Sequence, residues 1–355
     1  MTNNDLGDTL AQQVAAAAEA GTPLRIRGGG SKDFLARTIA GEPLEVSGHR
    51  GIINYEPTEL VLTARAGTPL NELDIALRES GQMMPFEPPR FSDATTLGGA
   101  IAAGLSGPRR PWAGSARDLV LGVRLINGRG ESMRFGGEVM KNVAGYDISR
   151  LVTGSFGTLG VLLDVSMKVL PLPEAEEAIQ LETNEAQGFY IVDEAYRAGV
   201  PISGAAHDGR HLYARLSGTK LAVDAGLKRL GGEQQSDPAT FWHALRDHQL
   251  PFFTQDGPPL WRLSLPPLSG IPELSGHRLA DWGGQQHWLR TDAKADAVFR
   301  EAVRLHGHAT LFRGGEQGGE VFHPLATPVR RLHVRVKAAF DPKGIFNPGR
   351  LYAGL

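Results

Sequence analysis

No cysteine occurs among the 355 residues. That absence excludes disulfides, thiolate catalysis, cysteine-based zinc sites and any iron–sulfur cluster ligated by this chain. If the protein moves electrons, they leave through a partner, a small acceptor or oxygen. Long apolar runs are missing as well: nothing approaches the ~20 residues that span a bilayer. The N-terminal MTNNDLGDTLAQQ lacks the basic and apolar regions of a secretory signal. A soluble, cytoplasmic protein is expected, with peripheral attachment at the inner membrane through partners as the variant. A surplus of one charge is also lacking. Lysine and arginine number 37 against 39 acidic residues, net −2, so neither nucleic-acid binding nor an acidic disordered tail is indicated. No internal repeat or low-complexity segment is visible.

What is present is glycine and proline, 45 and 23 residues, with 41% hydrophobic residues. This profile fits a loop-rich α/β or α+β protein rather than a helical bundle. At this length the chain exceeds one typical core and divides in two. The stretch Thr95–Gly122, TTLGGAIAAGLSGPRRPWAGSARDLVLG, is crowded with glycine and alanine. Small residues let backbone amides come close to a ligand, so a bound group would supply the missing bulk. A glycine-rich turn region packed on itself is the other reading.

A short alternating strand, Leu24-Arg25-Ile26, runs into Arg27-Gly28-Gly29-Gly30-Ser31-Lys32. A strand ending in three glycines and a hydroxyl can form a nest whose N–H groups converge on an anion; a plain loop is the alternative. Neither GxGxxG opening a helix nor GxxxxGK[ST] is present, so the nicotinamide-dinucleotide and P-loop patterns both fail. Before this strand, residues 8–20 read as a helix capped by Asp8, with Gly21 past its end. Val61–Ala64 reads as a strand, then a helix with Thr68 as cap, Pro69 first and Gly81 beyond it. Leu119–Ile126 and Ser132–Phe135 form a hairpin about Asn127-Gly128. Asp147 caps a short helix through Leu151, and Val161–Leu170 is a strand. Pro171 and Pro173 mark a boundary. Beyond it, helical segments 184–198 and 219–230 alternate with strands 211–218 and 260–266, an antiparallel sheet with helices. Val329–Lys337 reads as an amphipathic helix with a basic face. Two Pro/Gly turns in FDPKGIFNPGRLYAGL imply that the tail docks back on the fold.

Taken in order, Arg27-Gly-Gly-Gly-Ser31, Thr96-Leu-Gly-Gly99, Gly114-Ser-Ala-Arg-Asp118, Gly145-Tyr-Asp147, Gly154-Ser-Phe-Gly-Thr-Leu-Gly160 and Asn347-Pro-Gly-Arg350 resemble the vanillyl-alcohol-oxidase (PCMH-type) flavoproteins. GPRRPWAGSARD, RFGGEVMKNVAGYD and FNPGRLYAGL are closer to one branch, the FAD-binding subunits of bacterial glycolate-oxidising complexes. The resemblance implies an α+β fold: a PCMH-type FAD-binding domain of two subdomains at 1–172 and a smaller antiparallel-sheet α/β cap domain at 173–335. A C-terminal strip, 336–355, would return to the flavin. It implies that Arg27, Gly28, Gly29, Gly30, Ser31 and Lys32 cradle the FAD pyrophosphate. Thr95, Thr96, Gly98, Gly99, Gly104, Gly107, Gly114, Ser115, Arg117 and Asp118 would line the dinucleotide. Gly145, Tyr146, Asp147, Gly154, Ser155, Gly157, Thr158, Gly160, Val161 and Asn347 complete the cofactor set. Many relatives tether FAD through a histidine directly after the pyrophosphate glycines. Ser31 stands there, and no cysteine offers a second tether, so noncovalent FAD is implied.

The larger catalytic relatives carry a Gly-Asp-Gly-Asn-type segment flanked by histidines. His306-Gly-His308-Ala-Thr-Leu-Phe-Arg313 lacks its acidic and asparagine elements, and two histidines are too few for a metal; His323 and His333 are not brought to them by sequence. No metal is expected. Oxidising a 2-hydroxy acid needs a base for the hydroxyl proton and a cation for the carboxylate, and His308, Arg313 and Arg350 are the candidates. Three functions follow. The first is an FAD subunit passing electrons from glycolate oxidation to glyoxylate toward an iron–sulfur subunit, beside a larger catalytic flavin subunit. The second is a self-sufficient hydroxy-acid oxidase or dehydrogenase, and the third a non-catalytic assembly subunit.

Overall fold

The computed structural model describes residues 3–137 and 147–355. The chain divides into two compact units: 1–105, 115–172 and 325–355 form the first, and 106–114 with 173–324 the second. The sequence expectation kept 1–172 together and gave 325–335 to the second domain. The structure moves 106–114 out of the first unit. The Trp282 indole N–H holds this segment by donating to the Gly107 carbonyl at 2.9 Å.

In the first unit, helix Gly7–Ala20 buries Leu10, Val14 and Ala17 on one face, the spacing that an amphipathic helix requires. It ends at Gly21, whose φ of 67° suits a residue without Cβ. Its N-cap is Leu6 rather than the expected Asp8. Asp5 Oδ1 accepts the Gly7 N–H and His49 Nδ1 accepts that of Leu6, so those orphan donors are already served. Five antiparallel strands follow the order Ile52–Glu56, Val61–Arg65, Val161–Lys168, Val120–Ile126 and Ser132–Gly136. Leu62, Leu125, Leu163 and Val165 from this sheet meet Leu73, Leu77, Leu97 and Ile101 from two helices in one core.

A separate parallel pair joins Leu24–Arg27 to Glu42–Glu45. The C-terminal strip docks on its other edge: Leu24 N–H donates to Ile345 O at 2.7 Å, and Asn347 N–H to Leu24 O at 3.0 Å. Helix Leu70–Glu79 starts after Pro69 without a cap from Thr68. The Thr68 hydroxyl instead takes the Gly51 N–H, and the Leu70 N–H goes to the Thr95 carbonyl. Helix Thr327–Phe340 exposes Arg330, Arg331 and Arg335. Its Lys337 turns inward, donating to the carbonyls of Thr158 and Phe346 and to Asp341.

The second unit is built on an eight-stranded antiparallel sheet. Its strand order is Glu233–Gln234, Ala175–Glu182, His211–Gly218, Ile202–His207, His277–Asp281, Gln286–Arg290, Leu260–Ser264 and His308–Arg313. Helices Glu185–Arg197 and Lys220–Leu230 bury Phe189, Val192 and Val223 against Ile179, Leu212 and Leu216. Helix Ala295–Arg304 buries Val298, Phe299 and Ala302 against Trp261, Leu263, Leu289 and Leu311. Alternation along the strands therefore puts Arg262, Trp288 and Thr310 on the opposite face of the sheet. No helix among the described residues is long and apolar enough to cross a membrane.

Candidate functional site

The loop after strand Leu24–Arg27 has the chemistry of an anion nest. Among the described residues, no backbone carbonyl takes the amides of Gly29, Gly30, Ser31 or Lys32, while Asp33 N–H and Leu35 N–H close turns on Gly30 and Lys32. Gly28 and Gly29 are required by close approach. A Cβ on Gly28 would lie 2.7 Å from Thr96 Oγ1, and one on Gly29 only 1.5 Å from the Ala94 carbonyl oxygen. Gly30 has φ +70° and lies over the Arg27 guanidinium, which is itself held by Asp33 at 3.2 Å and Glu45 at 3.5 Å.

Lys32 completes this end. Burial pushes its ammonium down to about 8. Its Nζ reaches Ser31 Oγ at 3.4 Å and lies 5.7 Å from the Phe91 ring centre. No carboxylate pairs with it among the described residues. A desolvated, unpaired cation beside unclaimed amides is the donor set that a phosphate ester satisfies.

Two adjoining hollows extend from the nest. One, about 870 Å³, is lined by Arg25 to Asp33, Thr38, Gly99, Ala103 and Arg350 among others. The other, about 580 Å³, is more apolar, with Val46, Ala66, Leu125, Val152 and Leu162 on its wall. Ile26, Gly28, Thr96, Gly99, Ala102, Phe156 and Asn347 line both, so the two are neighbours. A polar, amide-rich end joined to an apolar end suits a dinucleotide with a flat ring system.

Most of the expected glycines contribute by proximity. Thr96 caps helix Leu97–Ala103 by accepting the Gly99 N–H at 3.2 Å. A Cβ on Gly98 would lie 2.6 Å from Ala66 Cβ. Gly104, at φ +63°, lets the helix end against Gly154: a Cβ there would stand 2.9 Å from Gly154 Cα. Gly157 meets the Asn347 amide, and Gly160 the Ile126 carbonyl. Ser155, Gly157 and Gly160 line the apolar hollow, as does Phe156, whose φ of 53° puts it in a left-handed turn. Val161 begins a buried strand. Thr158 is turned inward, with its hydroxyl on Ser155 O. Thr95 lies outside the hollows, fully buried, its hydroxyl oxygen without a partner among the described residues.

Other expected residues serve the fold. Ser115 and Asp118 make a reciprocal cap on helix Ala116–Leu119, and Arg117 donates to Thr153 O at 3.4 Å. Asp147 caps helix Ile148–Val152. Gly107 and Gly114 belong to the second unit. Gly145 and Tyr146 lie outside the described residues. The Asn347 amide is a clamp: its oxygen accepts from Ile26 N–H at 2.9 Å and its nitrogen donates to Phe156 O at 2.7 Å.

The three catalytic candidates are divided between the units, Arg350 in the first and His308 and Arg313 in the second. Arg350 lines the polar hollow, but its guanidinium donates to Leu35 O at 2.6 Å and Arg37 O at 2.9 Å. It pins the loop that follows the nest. His308 and Arg313 stand at opposite ends of strand His308–Arg313 in the second unit, about 16 Å apart at ~3.3 Å per residue. His306 occupies the left-handed turn before this strand. His323 packs on Phe299, and His333 sits in the first unit facing Tyr352. Among the described residues no three His, Asp or Glu side chains gather to hold a metal ion.

Residues 7–136 match the FAD binding domain family model. The chain is 48% identical over 351 residues to glycolate oxidase subunit GlcE of Escherichia coli, covering 99% of both. It belongs to the GlcE family of glycolate oxidase subunits. With its FAD binding domain, the chain is an FAD-dependent oxidoreductase subunit. Glycolate oxidase subunit GlcD of Bacillus subtilis is 29% identical over 48% of this chain and 37% of its own length. An alkyldihydroxyacetonephosphate synthase structure superposes on 96% of this chain and 75% of its own, with TM-score 0.66 and 15% identity, a likeness of fold. The GlcE-family chain thus carries an FAD-binding domain whose donors and glycines fit a bound dinucleotide.

Sequence reasoning missed Ile26, Phe156 and the Arg350–Leu35–Arg37 contacts. Ile26 had a signal: it alternates with Gly28 along a strand that ends in the nest. Arg350 had none, because its carbonyl partners lie more than 300 residues away.

Proposed function

We propose that this chain is a noncovalent FAD-carrying subunit of a glycolate-oxidising complex, receiving electrons from glycolate oxidation to glyoxylate and passing them toward an iron–sulfur partner. The observation that carries the reading is the pairing of an unclaimed-amide nest and unpaired Lys32 with a glycine-lined hollow, in a chain matched end to end by a glycolate oxidase subunit. Bound FAD supplies two-electron acceptance with one-electron release.

In this account the amides of Gly28–Lys32 hold the pyrophosphate, with Lys32 neutralising its charge. Thr96, Gly98 and Gly99 bring helix Leu97–Ala103 close to the dinucleotide, and Gly154–Gly160 closes the apolar end. Asn347 and Arg350 lock the C-terminal strip and the 33–38 loop around it. Ser31 offers no nucleophile of the kind that tethers flavins, and cysteine is absent. Any cluster that takes the electrons belongs to a partner, because this chain holds no thiolates to ligate one.

The test is an absorption spectrum of the purified chain loaded with FAD, recorded anaerobically before and after adding glycolate, then after adding the partner subunits. A flavin band that stays oxidised alone and bleaches with partners is expected. Bleaching by glycolate alone would replace this reading with a self-sufficient oxidase, and an absent band would leave an assembly role.

A further inference from the structure

Two carboxyl groups of the second unit are served very differently by the fold. Glu176 is provided for as an ion: Ser217 donates to its Oε2 at 2.6 Å, Arg109 donates to the same oxygen, and Arg215 stands 3.9 Å from Oε1. Burial opposes its ionisation, but Arg215, Arg109 and Ser217 outweigh this and hold it below the usual carboxylate range. Glu185 is only 6% exposed, and its Oε1 receives no hydrogen bond among the described residues. Arg278 Nη2 stands 3.7 Å from Oε2, longer than a hydrogen bond, and its Nη1 is spent on Pro272 O at 3.0 Å.

Glu185 opens helix Glu185–Arg197, and the sheet beneath it decides what its carboxyl meets. His207, Ala280 and His287 pair across three neighbouring strands, so their side chains share one face. Ala280 lies in the core that this helix covers. The groups facing the carboxyl are therefore His207, Arg278 and His287, one from each strand. His207 is committed elsewhere: Nε2 donates to Thr183 O at 2.9 Å, and Nδ1 accepts the Gly209 N–H at 3.0 Å. His287 is 1% exposed, with Nε2 3.0 Å from Gly284 O. A carbonyl oxygen only accepts, so Nε2 carries the hydrogen and Nδ1 of the neutral ring presents a lone pair. That Nδ1 has no hydrogen-bond partner among the described residues and lies 3.5 Å from Glu185 Oε1. Two acceptors facing each other out of water are unfavourable, and one proton between them makes a donor and an acceptor of the pair.

We infer that Glu185 is held as the protonated acid, donating to His287 Nδ1, and that this bond is an alkali-sensitive latch between helix Glu185–Arg197 and strand Gln286–Arg290. The directions of titration agree with the geometry. Burial, working against Arg278 and His207, raises Glu185 above the usual carboxylate range. Burial also pushes His287 down to about 4, which leaves its ring neutral. Ionisation of Glu185 gives the proton to solvent and sets a carboxylate against a lone pair, so the start of the helix loosens from the sheet. The folded chain keeps a proton that the unfolded chain releases above ~4.3. Stability is therefore lost as pH rises through the raised native value. Neither flavin nor substrate enters this inference, so it stands apart from the proposed function.

The test follows thermal midpoints of the full chain from about pH 4 to about pH 9 for wild type, Glu185→Gln, Glu185→Ala and the exposed control Glu182→Gln. Glutamine keeps a donor for His287 Nδ1 and cannot ionise. The gap between Glu185→Gln and wild type should open upward from about pH 4 and widen with pH. At about pH 8 Glu185→Gln should melt at least ~3 °C higher, the shift that about one pKa unit gives a chain of this size. Glu185→Ala, which leaves Nδ1 unpartnered, should melt below Glu185→Gln throughout, and Glu182→Gln should keep the wild-type profile. Compared at the same alkaline pH, amides of helix Glu185–Arg197 should exchange faster in wild type than in Glu185→Gln. In wild type with nitrogen-15-labelled histidine, His287 should carry its hydrogen on Nε2 alone near about pH 7. A hydrogen on His287 Nδ1 overturns the latch, as does a Glu185→Gln midpoint below wild type at about pH 8 or a gap that does not change with pH. The labelling readout needs only the wild type, so it decides the matter even if a variant does not fold.

Discussion

Gly99 separates folding from flavin binding. It lies in the first turn of helix Leu97–Ala103, lines both hollows, and donates its N–H to Thr96 Oγ1. A Cβ there would meet only that oxygen, at 3.2 Å. Helix propensity favours alanine over glycine by about 1 kcal/mol, which for a chain of this size raises Tm by roughly 2–4 °C. Flavin-free Gly99→Ala should therefore melt at or above wild type. Gly99→Leu should also fold, with its isobutyl group in the space assigned to the dinucleotide. A loss of affinity of at least 100-fold is expected, about 2.7 kcal/mol at ~1.4 kcal/mol per tenfold. Scanning fluorimetry of the flavin-free variants and titration of FAD fluorescence read the two effects independently. If Gly99→Leu folds and binds FAD as tightly as wild type, the hollow is not the flavin site.

Other substitutions probe neighbouring parts of the account. Gly29→Ala forces a methyl to within 1.5 Å of the Ala94 carbonyl, so it should cost ~1–3 kcal/mol or more of stability together with flavin retention, seen as a lower midpoint and colourless protein. Lys32 titrates near 8 without ligand and a pyrophosphate favours its charged form. FAD affinity should then fall as pH rises through about 8, a slope that Lys32→Met removes in a pH series of dissociation constants. Asp164 is 5% exposed. Its burial opposes ionisation, yet hydrogen bonds from His49 and Arg124 outweigh this and hold it below the usual carboxylate range. A depressed native pKa stabilises above the unfolded value near ~3.9 and loses that contribution as pH falls through the native one. Asp164→Asn should therefore cost ~3–5 kcal/mol at pH 7, with the gap to wild type closing below about pH 4 in denaturant titrations. Asn347→Ala leaves Ile26 N–H and Phe156 O without their partners, at ~1–3 kcal/mol each, and should lower both the melting midpoint and FAD retention.

What was legible in the sequence follows from what glycine does. Gly28, Gly29, Gly98, Gly104 and Gly157 are positions where a Cβ would strike backbone or a packed side chain, and runs of such residues announce close approach wherever they occur. Strand and helix positions followed from apolar spacing, since Leu10, Val14 and Ala17, or Leu73 and Leu77, need one buried face. Helix starts were less legible: Asp8 and Thr68 look like caps locally, but His49, Asp5, Gly51 and Thr95 supply the partners from elsewhere. The segment 106–114 is tied to its unit by contacts far along the chain, Arg109 to Glu176, Arg110 over Trp282 and the Trp282 indole on Gly107 O, which no local pattern encodes. The catalytic trio was drawn from chemistry without distance, and the fold places Arg350 on two carbonyls and separates His308 from Arg313.

We propose that FAD sits in the first unit's hollow without a covalent bond. The direct measurement is flavin released from FAD-loaded protein by acid precipitation, compared with the flavin band of the intact protein near ~450 nm, a cofactor property. About one FAD per chain, recovered wholly in the supernatant, is predicted. Flavin remaining in the precipitate would contradict the noncovalent assignment, and protein that never acquires the band would contradict the site itself.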